Sequence, residues 1–272
     1  MCMRAFWGRI NSEVCIMNKN KPNNDEFVRN PCEEDNAPKG DNPAEENSFE
    51  HIQDSGAIVT ERDGSVIHCL TIVGQIEGHY LLPQNTKTTK YEHVIPMLVA
   101  IDEDPRIDGL LILINTVGGD VEAGLAIAEL ISGMKKPTVS IVLGGGHSIG
   151  IPLAVSAKKS FIAKSASMTA HPVRSTGLTI GVWQTFEYYK RMQDRITSFI
   201  VDNSRISKED YENLVMNTGE LVMDIGSILD GQKAVDVGLV DKVGTLKEAV
   251  DCLYDMIKEY KNKASLGGSC RA

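Results

Sequence analysis

The spacing of apolar residues changes repeatedly along the chain and predicts alternating strands and helices. Residues 57–76 alternate between apolar and polar positions on both sides of Asp63-Gly64, which predicts a β-hairpin. Residues 109–115 (GLLILIN) and 137–144 (PTVSIVLG) are nearly continuous apolar runs, typical of strands covered on both faces. Helical spacing follows each run. The order strand–helix–strand–helix–strand predicts right-handed crossovers and a mainly parallel sheet.

The second half of the chain is predicted to be mostly helical. Residues 182–203 form the longest pattern, with apolar side chains every three or four positions: Trp183, Phe186, Tyr189, Met192, Ile196 and Phe199. These residues cover much of the circumference, which is typical of a helix that makes contacts on more than one side. Residues 207–216 predict a further helix, and residues 231–261 predict a short helix, a strand and a final amphipathic helix.

The charge of the chain is concentrated near its N-terminus. The 272 residues carry a net charge of −9, and ten acidic and four basic residues between Asn18 and Ser55 account for −6 of it. That stretch also holds four prolines and two aromatic residues, too few apolar groups to offset the entropy of ordering. We therefore expect a disordered acidic leader at 1–55, a folded domain at 56–262 and a frayed tail at 263–272. The remaining residues are nearly neutral, which argues against nucleic-acid binding.

Cysteine spacing and hydropathy exclude several other classes of protein. The six cysteines show no CxxC spacing and no paired histidines, so neither a zinc site nor a disulfide framework is expected. No apolar run is long enough for a signal peptide, and none reaches the roughly 18 residues that span a bilayer. These features predict a cytoplasmic protein without a metal or a membrane span.

Two glycine-rich turns follow the two buried strands and are expected to line the same crevice. The glycine turn is Thr116–Asp120, and the serine turn is Gly144–Gly150. Neither has the pattern of a phosphate-binding loop. Ser148 lies on the bend between strand and helix, where the Ile149 amide and that of Gly118 or Gly119 are expected to stabilise an oxyanion. The alternative is a tight turn with a capping serine.

A nucleophilic serine needs a base, and His171 is the best placed of the six histidines. It ends a predicted strand (SMTAHPV) and precedes Pro172, which places it where strand termini meet. His51 lies in the leader, and His68, His79 and His93 precede the two turns. His147 adjoins Ser148, but adjacent side chains on a bend are expected to point to opposite sides.

These segments together resemble the proteolytic subunit of the Clp protease (ClpP) family over roughly residues 57–256. INTVGGDVEAGLAIAELI resembles the family's INSPGGxxxAGLAIYDxM, and GGGHSIGIPLAVSA resembles its GxAASMGAxLLxAG. SMTAHPV resembles its MIHQP segment, and GQKAVDVGLVDKV resembles its xEAxxYGLVDxV segment. The four segments occur in the family's order, which makes the resemblance highly specific.

The resemblance implies a ClpP/crotonase-type α/β fold, with a mainly parallel sheet, crossover helices and a protruding handle helix. It implies a serine endopeptidase with Ser148 as nucleophile, His171 as base, and an oxyanion hole of Gly118 or Gly119 with Ile149. It implies a homo-oligomeric ring that cleaves peptides or unfolded proteins without a cofactor. Since this chain has no Walker motif, any ATP dependence would come from a separate ATPase unfoldase.

The chain also departs from the family's pattern. His147 replaces a small residue before the serine, TVGG replaces SPGG, and the acidic leader stands where the family has a gating segment. With these departures, the chain resembles the divergent ClpP-like branch of translocation-enhancing proteins more than it resembles ClpP itself. The resemblance implies a link to preprotein export. For the acidic member of the triad we predict Asp224, with Glu220 and Asn217 as alternatives.

Three hypotheses of function follow from these residues. An active serine peptidase is favoured. The second is a catalytically weak ClpP-like scaffold that assists protein export through binding. The third is a crotonase-type acyl-CoA enzyme, which would share the fold and use paired amides on a thioester enolate.

Overall fold

The computed structural model describes residues 57–177, 179–219 and 225–267. The expected leader at 1–55 lies outside these ranges, and so do two of the three candidates for the triad acid, Glu220 and Asp224. Within the described ranges the chain forms an α/β fold, as predicted.

The ordered part opens with the predicted hairpin. Strands β1 (Ala57–Arg62) and β2 (Ser65–Glu77) pair antiparallel, and Arg62 lies opposite Ser65. The two residues between them, Asp63 and Gly64, have φ angles of 51° and 69°. Positive φ at both positions is what a type I′ hairpin turn requires, and Asp-Gly tolerates it well. The hairpin prediction is confirmed.

A mainly parallel sheet forms the centre of the fold. Its strand order is β1-β2-β4-β5-β6-β9, and every pair in this path after β1–β2 is parallel. A short strand, β3, pairs in parallel with the last three residues of β2. The strands beyond the hairpin are β3 (Thr88–Lys90), β4 (Gly109–Gly119), β5 (Thr138–Gly146), β6 (Lys159–Ile162), β7 (Ser167–Ala170), β8 (Ser227–Asp230) and β9 (Lys242–Val243).

Helices cover both faces of this sheet. They are α1 (Tyr91–Glu103), α2 (Val121–Gly133), α3 (Gly150–Val155), α4 (Val182–Asp202), α5 (Lys208–Val215), α6 (Gly231–Asp236) and α7 (Leu246–Gly267). Strand β4 contributes to both cores. Leu110 and Ile112 belong to the larger core with α1 and α2, whereas Leu111 packs in the smaller core with Leu253 and Ile257 of α7. This double coverage explains the continuous apolar run.

Strands β7 and β8 form a short antiparallel pair beside the main sheet. Ser167 lies opposite Asp230, and Ala170 lies opposite Ser227. Ser167 also pairs with Gly145 at the end of β5, which attaches β7 to the serine turn. The sequence patterns did not predict β8. This pair brings the residues that follow β7 to the carboxyl end of β5.

The long helix α4 is packed along only half of its length. Met192, Ile196, Phe199 and Ile200 in its C-terminal half are buried. In its N-terminal half, Val182, Trp183, Phe186 and Tyr188 are exposed, Trp183 by 70%. An apolar helix end of this kind is suited to contact another molecule.

The last helix, α7, continues into residues 263–267, which we had expected to belong to the tail. No helix in the described ranges is both long and apolar enough to cross a membrane.

Candidate active site

Ser148 lies on a strained bend between β5 and α3. Its φ angle is 57°, one of only two positive values among the described non-glycine residues. Its N–H donates to the carbonyl oxygen of Thr169 on β7 at 2.9 Å. The following turn is closed by the Ile151 N–H, which donates to the Ser148 carbonyl oxygen at 3.0 Å. The bend holds a half-buried serine in a backbone conformation that non-glycine residues rarely adopt.

The glycine turn packs directly against this serine. Gly118 and Gly119 have φ angles of 90° and 153°. A Cβ placed on Gly118 would lie 2.7 Å from the Ser148 Cβ and 3.3 Å from its Oγ, so only glycine allows this approach. The Gly118 N–H donates to Thr116 Oγ1 at 3.0 Å, whereas the Ile149 N–H has no hydrogen-bond partner within the described ranges.

Side chains and backbone of β4 join the two turns to each other. The Gly145 N–H donates to Asn115 Oδ1 at 2.9 Å, across a β-bulge between β4 and β5. The His147 N–H donates to the Thr116 carbonyl oxygen at 3.2 Å. Thr116 Oγ1 in turn donates to the Gly74 carbonyl oxygen on β2 at 2.6 Å. Three neighbouring strands therefore fix the relative positions of the two turns.

His171 directly follows β7 and lies two residues after Thr169, the residue that accepts the Ser148 N–H. Its Nδ1 donates to the carbonyl oxygen of Pro172 at 2.7 Å. This bond puts the proton on Nδ1 and leaves Nε2 able to accept one, which is the tautomer that a base needs. Within the described ranges no hydrogen bond joins His171 to Ser148.

Gly226 lies directly against His171. Its φ angle is 136°, and a Cβ there would lie 3.0 Å from the His171 Cβ and collide with the Ala170 carbonyl oxygen. The segment that enters β8 therefore passes close to the base. Sequence reasoning missed this glycine; its position just before the short strand SILD was the available signal.

Asn217, the one candidate for the triad acid in the described ranges, bonds to its own loop. Its Oδ1 accepts from the Gly219 N–H at 2.9 Å, and its Nδ2 donates to Ser227 Oγ at 3.1 Å. The Gly226 N–H also donates to the Asn217 carbonyl oxygen at 2.8 Å. None of these bonds reaches His171.

The ring of His147 contacts β7, the strand that directly precedes His171. Its Nδ1 is hydrogen-bonded to Thr169 Oγ1 at 2.9 Å. Its Nε2 lies over Gly145, where a Cβ would approach to 2.7 Å. Burial lowers the pKa of His147, and the nearby His171 lowers it further. The sequence analysis did not identify Thr169 as the partner of His147. The available signal was the glycine at position 145, two residues before a bulky histidine.

Two other histidines occupy different parts of the fold. His68 lies on β2, and its buried Nε2 has no hydrogen-bond partner among the described residues. His79 packs against the ring of Tyr91, with 5.6 Å between the centroids.

A strained serine beside paired glycines, with a histidine directly after the strand to which that serine is hydrogen-bonded, is compatible with a serine-hydrolase type of site on a parallel α/β sheet. The model of the Clp protease family matches residues 64–247. The chain belongs to this family.

Two relatives define where in the family the chain falls. It is 56% identical over 212 residues to the translocation-enhancing protein TepA of Halalkalibacterium halodurans, which covers 78% of this chain and 83% of that protein. It is 26% identical over 158 residues to the ATP-dependent Clp protease proteolytic subunit of Lactococcus lactis, covering 55% of this chain and 74% of the subunit. The predicted resemblance to ClpP, and to its translocation-enhancing branch, is confirmed.

The fold is also that of a solved member of the family. A mutant of ClpP1 from Listeria monocytogenes matches this structure with a TM-score of 0.54 at 22% sequence identity. The match covers 66% of this chain and 93% of that one. The predicted ClpP-type fold is confirmed.

Proposed function

We propose that this protein is a serine endopeptidase of the ClpP type. The observation that carries the proposal is the position of Ser148, strained at φ 57° against Gly118 and tied through its N–H to the strand that ends at His171. A serine that only capped a turn would not need this conformation. Membership of the Clp protease family favours peptide hydrolysis over acyl-CoA chemistry.

In the proposed reaction, Ser148 Oγ attacks the carbonyl carbon of the scissile peptide while His171 Nε2 accepts its proton. The tetrahedral intermediate collapses, the C–N bond breaks, and His171 returns the proton to the leaving amine. Water then releases the acyl group by the same route. These steps use side chains and backbone amides and call for no metal or cofactor.

The oxyanion is proposed to bind the amides of Ile149 and Gly119. The Ile149 N–H has no partner among the described residues. Gly118 was the other candidate donor, but Thr116 Oγ1 already accepts its N–H. Gly118 instead provides the space that lets the two turns approach.

Asp224 stays our choice for the acid that orients His171. In the sequence it precedes by two positions Gly226, the glycine that lies against His171. In this role the carboxylate would replace the Pro172 carbonyl as the acceptor for Nδ1–H and stabilise the imidazolium.

We further propose that the protein acts in the cytoplasm as a homo-oligomeric ring on peptides or unfolded proteins. The exposed apolar residues Trp183 and Phe186 of α4 suit a contact between copies. The name of the Lactococcus lactis relative points to a separate ATPase as partner, and that of TepA points to a link with preprotein translocation.

A specific observation favours a second candidate, the ClpP-like scaffold that assists export by binding. His171 Nδ1 is bonded to the neighbouring carbonyl, and no hydrogen bond in the described ranges connects Ser148 to His171. Catalytic hydrogen bonds are often formed only with substrate, so this geometry does not exclude the peptidase.

Labelling with a fluorophosphonate, which traps activated serines, tests the proposal. We expect stoichiometric labelling of the assembled wild type, none in Ser148→Ala and at least about 100-fold slower labelling in His171→Ala. Ser132→Ala is the matched control, because that hydroxyl bonds only to the Glu129 carbonyl in the described structure. An assembled wild type that is not labelled would overturn the peptidase.

Peptide turnover separates the candidates for the acid. Asp224→Ala is expected to lower turnover by at least about 100-fold, and Glu220→Ala and Asn217→Ala are not. Normal turnover in Asp224→Ala would refute our choice. Export by cells that carry only Ser148→Ala, at the wild-type level, would support the scaffold.

A further inference from the structure

The side chain of His147 forms a second connection between the serine turn and β7. The first connection is the bond from the Ser148 N–H to the Thr169 carbonyl oxygen, at 2.9 Å. The second runs from the His147 ring to the hydroxyl of the same residue, Thr169, also at 2.9 Å. Thr169 therefore holds two consecutive residues of the serine turn, one through its backbone and one through its side chain.

Two hydrogen bonds restrain the orientation of the serine turn relative to β7 more strongly than one bond would. A single hydrogen bond between two segments allows rotation about its axis, whereas a second bond beside it resists that rotation. Ser148 is on one segment, and His171 follows Thr169 by two residues on the other. The relative orientation of nucleophile and base thus depends on both bonds. Misplacement by about 1 Å can lower an enzyme's rate by about 100-fold.

The His147 ring is not available as a base for Ser148. Its Nδ1 is hydrogen-bonded to Thr169, and its Nε2 lies over Gly145. Burial lowers the pKa of His147, and the nearby His171 lowers it further.

The serine turn is shaped to accept this ring. A Cβ on Gly145 would come within 2.7 Å of His147 Nε2, so a residue with a side chain there would press on the ring. Gly145 and His147 are therefore matched to each other in this chain.

We propose that His147 is a positioning residue: by binding Thr169 it fixes the angle between the Ser148 bend and the strand that carries His171. The inference rests on the proposed peptidase function and adds a residue to it. In this role His147 acts through Thr169, the residue to which its ring is hydrogen-bonded.

A double-mutant cycle tests the connection. The variants are His147→Ala, Thr169→Val and the double variant, with Thr169→Ser as the conservative control that keeps the hydroxyl. The measurements are the rate of fluorophosphonate labelling and the kcat and KM for a fluorogenic peptide. Thermal unfolding of each variant shows whether the fold is intact.

We expect each single variant to lower the labelling rate and kcat by about 10- to 100-fold with KM unchanged. The double variant should be no slower than the slower single variant, because both substitutions remove the same hydrogen bond, the one between His147 and Thr169. Thr169→Ser should react like the wild type. If His147→Ala does not fold, Thr169→Val compared with Thr169→Ser still decides the question.

Independent effects that multiply in the double variant would overturn the inference, and so would labelling of Thr169→Val at the wild-type rate. These outcomes differ from failure of the proposed function, in which the wild type itself is not labelled and the positioning role falls with it.

Discussion

The two sides of the candidate site are held in place by different kinds of structure. The serine side, formed by the glycine turn and the serine turn, is fixed by β2, β4 and β5 through backbone hydrogen bonds and through the side chains of Asn115 and Thr116. The histidine side consists of His171, Asn217 and Gly226. There the ring bonds to the next carbonyl, and its neighbour Gly226 comes from a segment far from His171 in the sequence.

The position of the serine side is therefore determined by the central strands, whereas that of the histidine side is determined by segments outside the main sheet. The serine side lies at the carboxyl ends of buried parallel strands and is held by hydrogen bonds that involve three of them. Substitutions on the two sides should therefore differ in both size and kind of effect.

The largest effect is expected for Gly118→Ala on the serine side. The new Cβ would lie 2.7 Å from the Ser148 Cβ and 2.9 Å from the His147 carbonyl oxygen, and it would push the two turns apart. Fluorophosphonate labelling should fall by at least about 100-fold, the usual cost of disrupting an oxyanion hole. Gly64→Ala is the control: its φ is also positive, at 69°, but a Cβ there contacts nothing within 4 Å. Equal losses of labelling in both variants would refute a local collision as the cause.

A smaller loss is expected for Gly226→Ala on the histidine side. Its Cβ would press on the His171 Cβ and the Ala170 carbonyl oxygen, whereas a Cβ on Gly118 would press on the proposed nucleophilic residue itself. We expect labelling to fall about 10-fold and the free energy of unfolding to fall by about 1–2 kcal/mol. Gly177→Ala shares the positive φ, at 148°, without any neighbour within 4 Å. A loss greater than that of Gly118→Ala would reverse the ranking of the two sides.

Asn217→Ala should affect stability more than chemistry. It removes hydrogen bonds to Gly219 and Ser227, which together support the loop, and we expect urea unfolding to show a loss of about 1 kcal/mol. The labelling rate should change by less than about tenfold, which corresponds to 1.4 kcal/mol. A much larger drop in labelling would make Asn217 the partner of His171 after all.

The smallest effect is a pH dependence of stability that originates on the serine side. Burial lowers the pKa of His147 in the folded protein, while the unfolded chain keeps a value of about 6.5. Below that pH the unfolded state binds a proton that the folded state resists, so stability falls until the folded pKa is passed. Unfolding in urea at pH 7 and pH 5 should show a smaller decrease for His147→Asn than for the wild type, by less than about 1.4 kcal/mol per pH unit. Equal decreases would mean that the ring is solvated. His68, whose pKa burial also lowers, is present in both proteins.

The main sheet and its crossovers could be predicted because their signals are local. Asp63-Gly64 defines a turn within four residues, and the apolar run of β4 reflects burial on both faces. Strand β8 was missed for two reasons. Its four residues show little alternation of hydropathy, since the apolar Ile228 is exposed and the apolar Leu229 is buried. Its antiparallel pairing with β7 also interrupts the alternation of strands and helices along the chain.

The candidate site was predictable on the serine side and less so on the histidine side. Ser148 and its glycines follow buried strands directly, and the structure brings them together. The surroundings of His171 depend on contacts between segments far apart in the sequence, such as the one with Gly226, which no short motif encodes. The bond between His147 and Thr169 joins residues 22 positions apart and depends on the attachment of β7 to β5.

The left-handed backbone of Ser148 also has a consequence for selection. A non-glycine residue in that region costs about 1–2 kcal/mol relative to glycine, which is a sizeable part of the stability of a folded domain. A lineage that needed this turn only as a support would gain stability by replacing the serine with glycine. Keeping a hydroxyl there opposes stability, so mutational drift alone would tend to remove it unless the hydroxyl contributes to fitness.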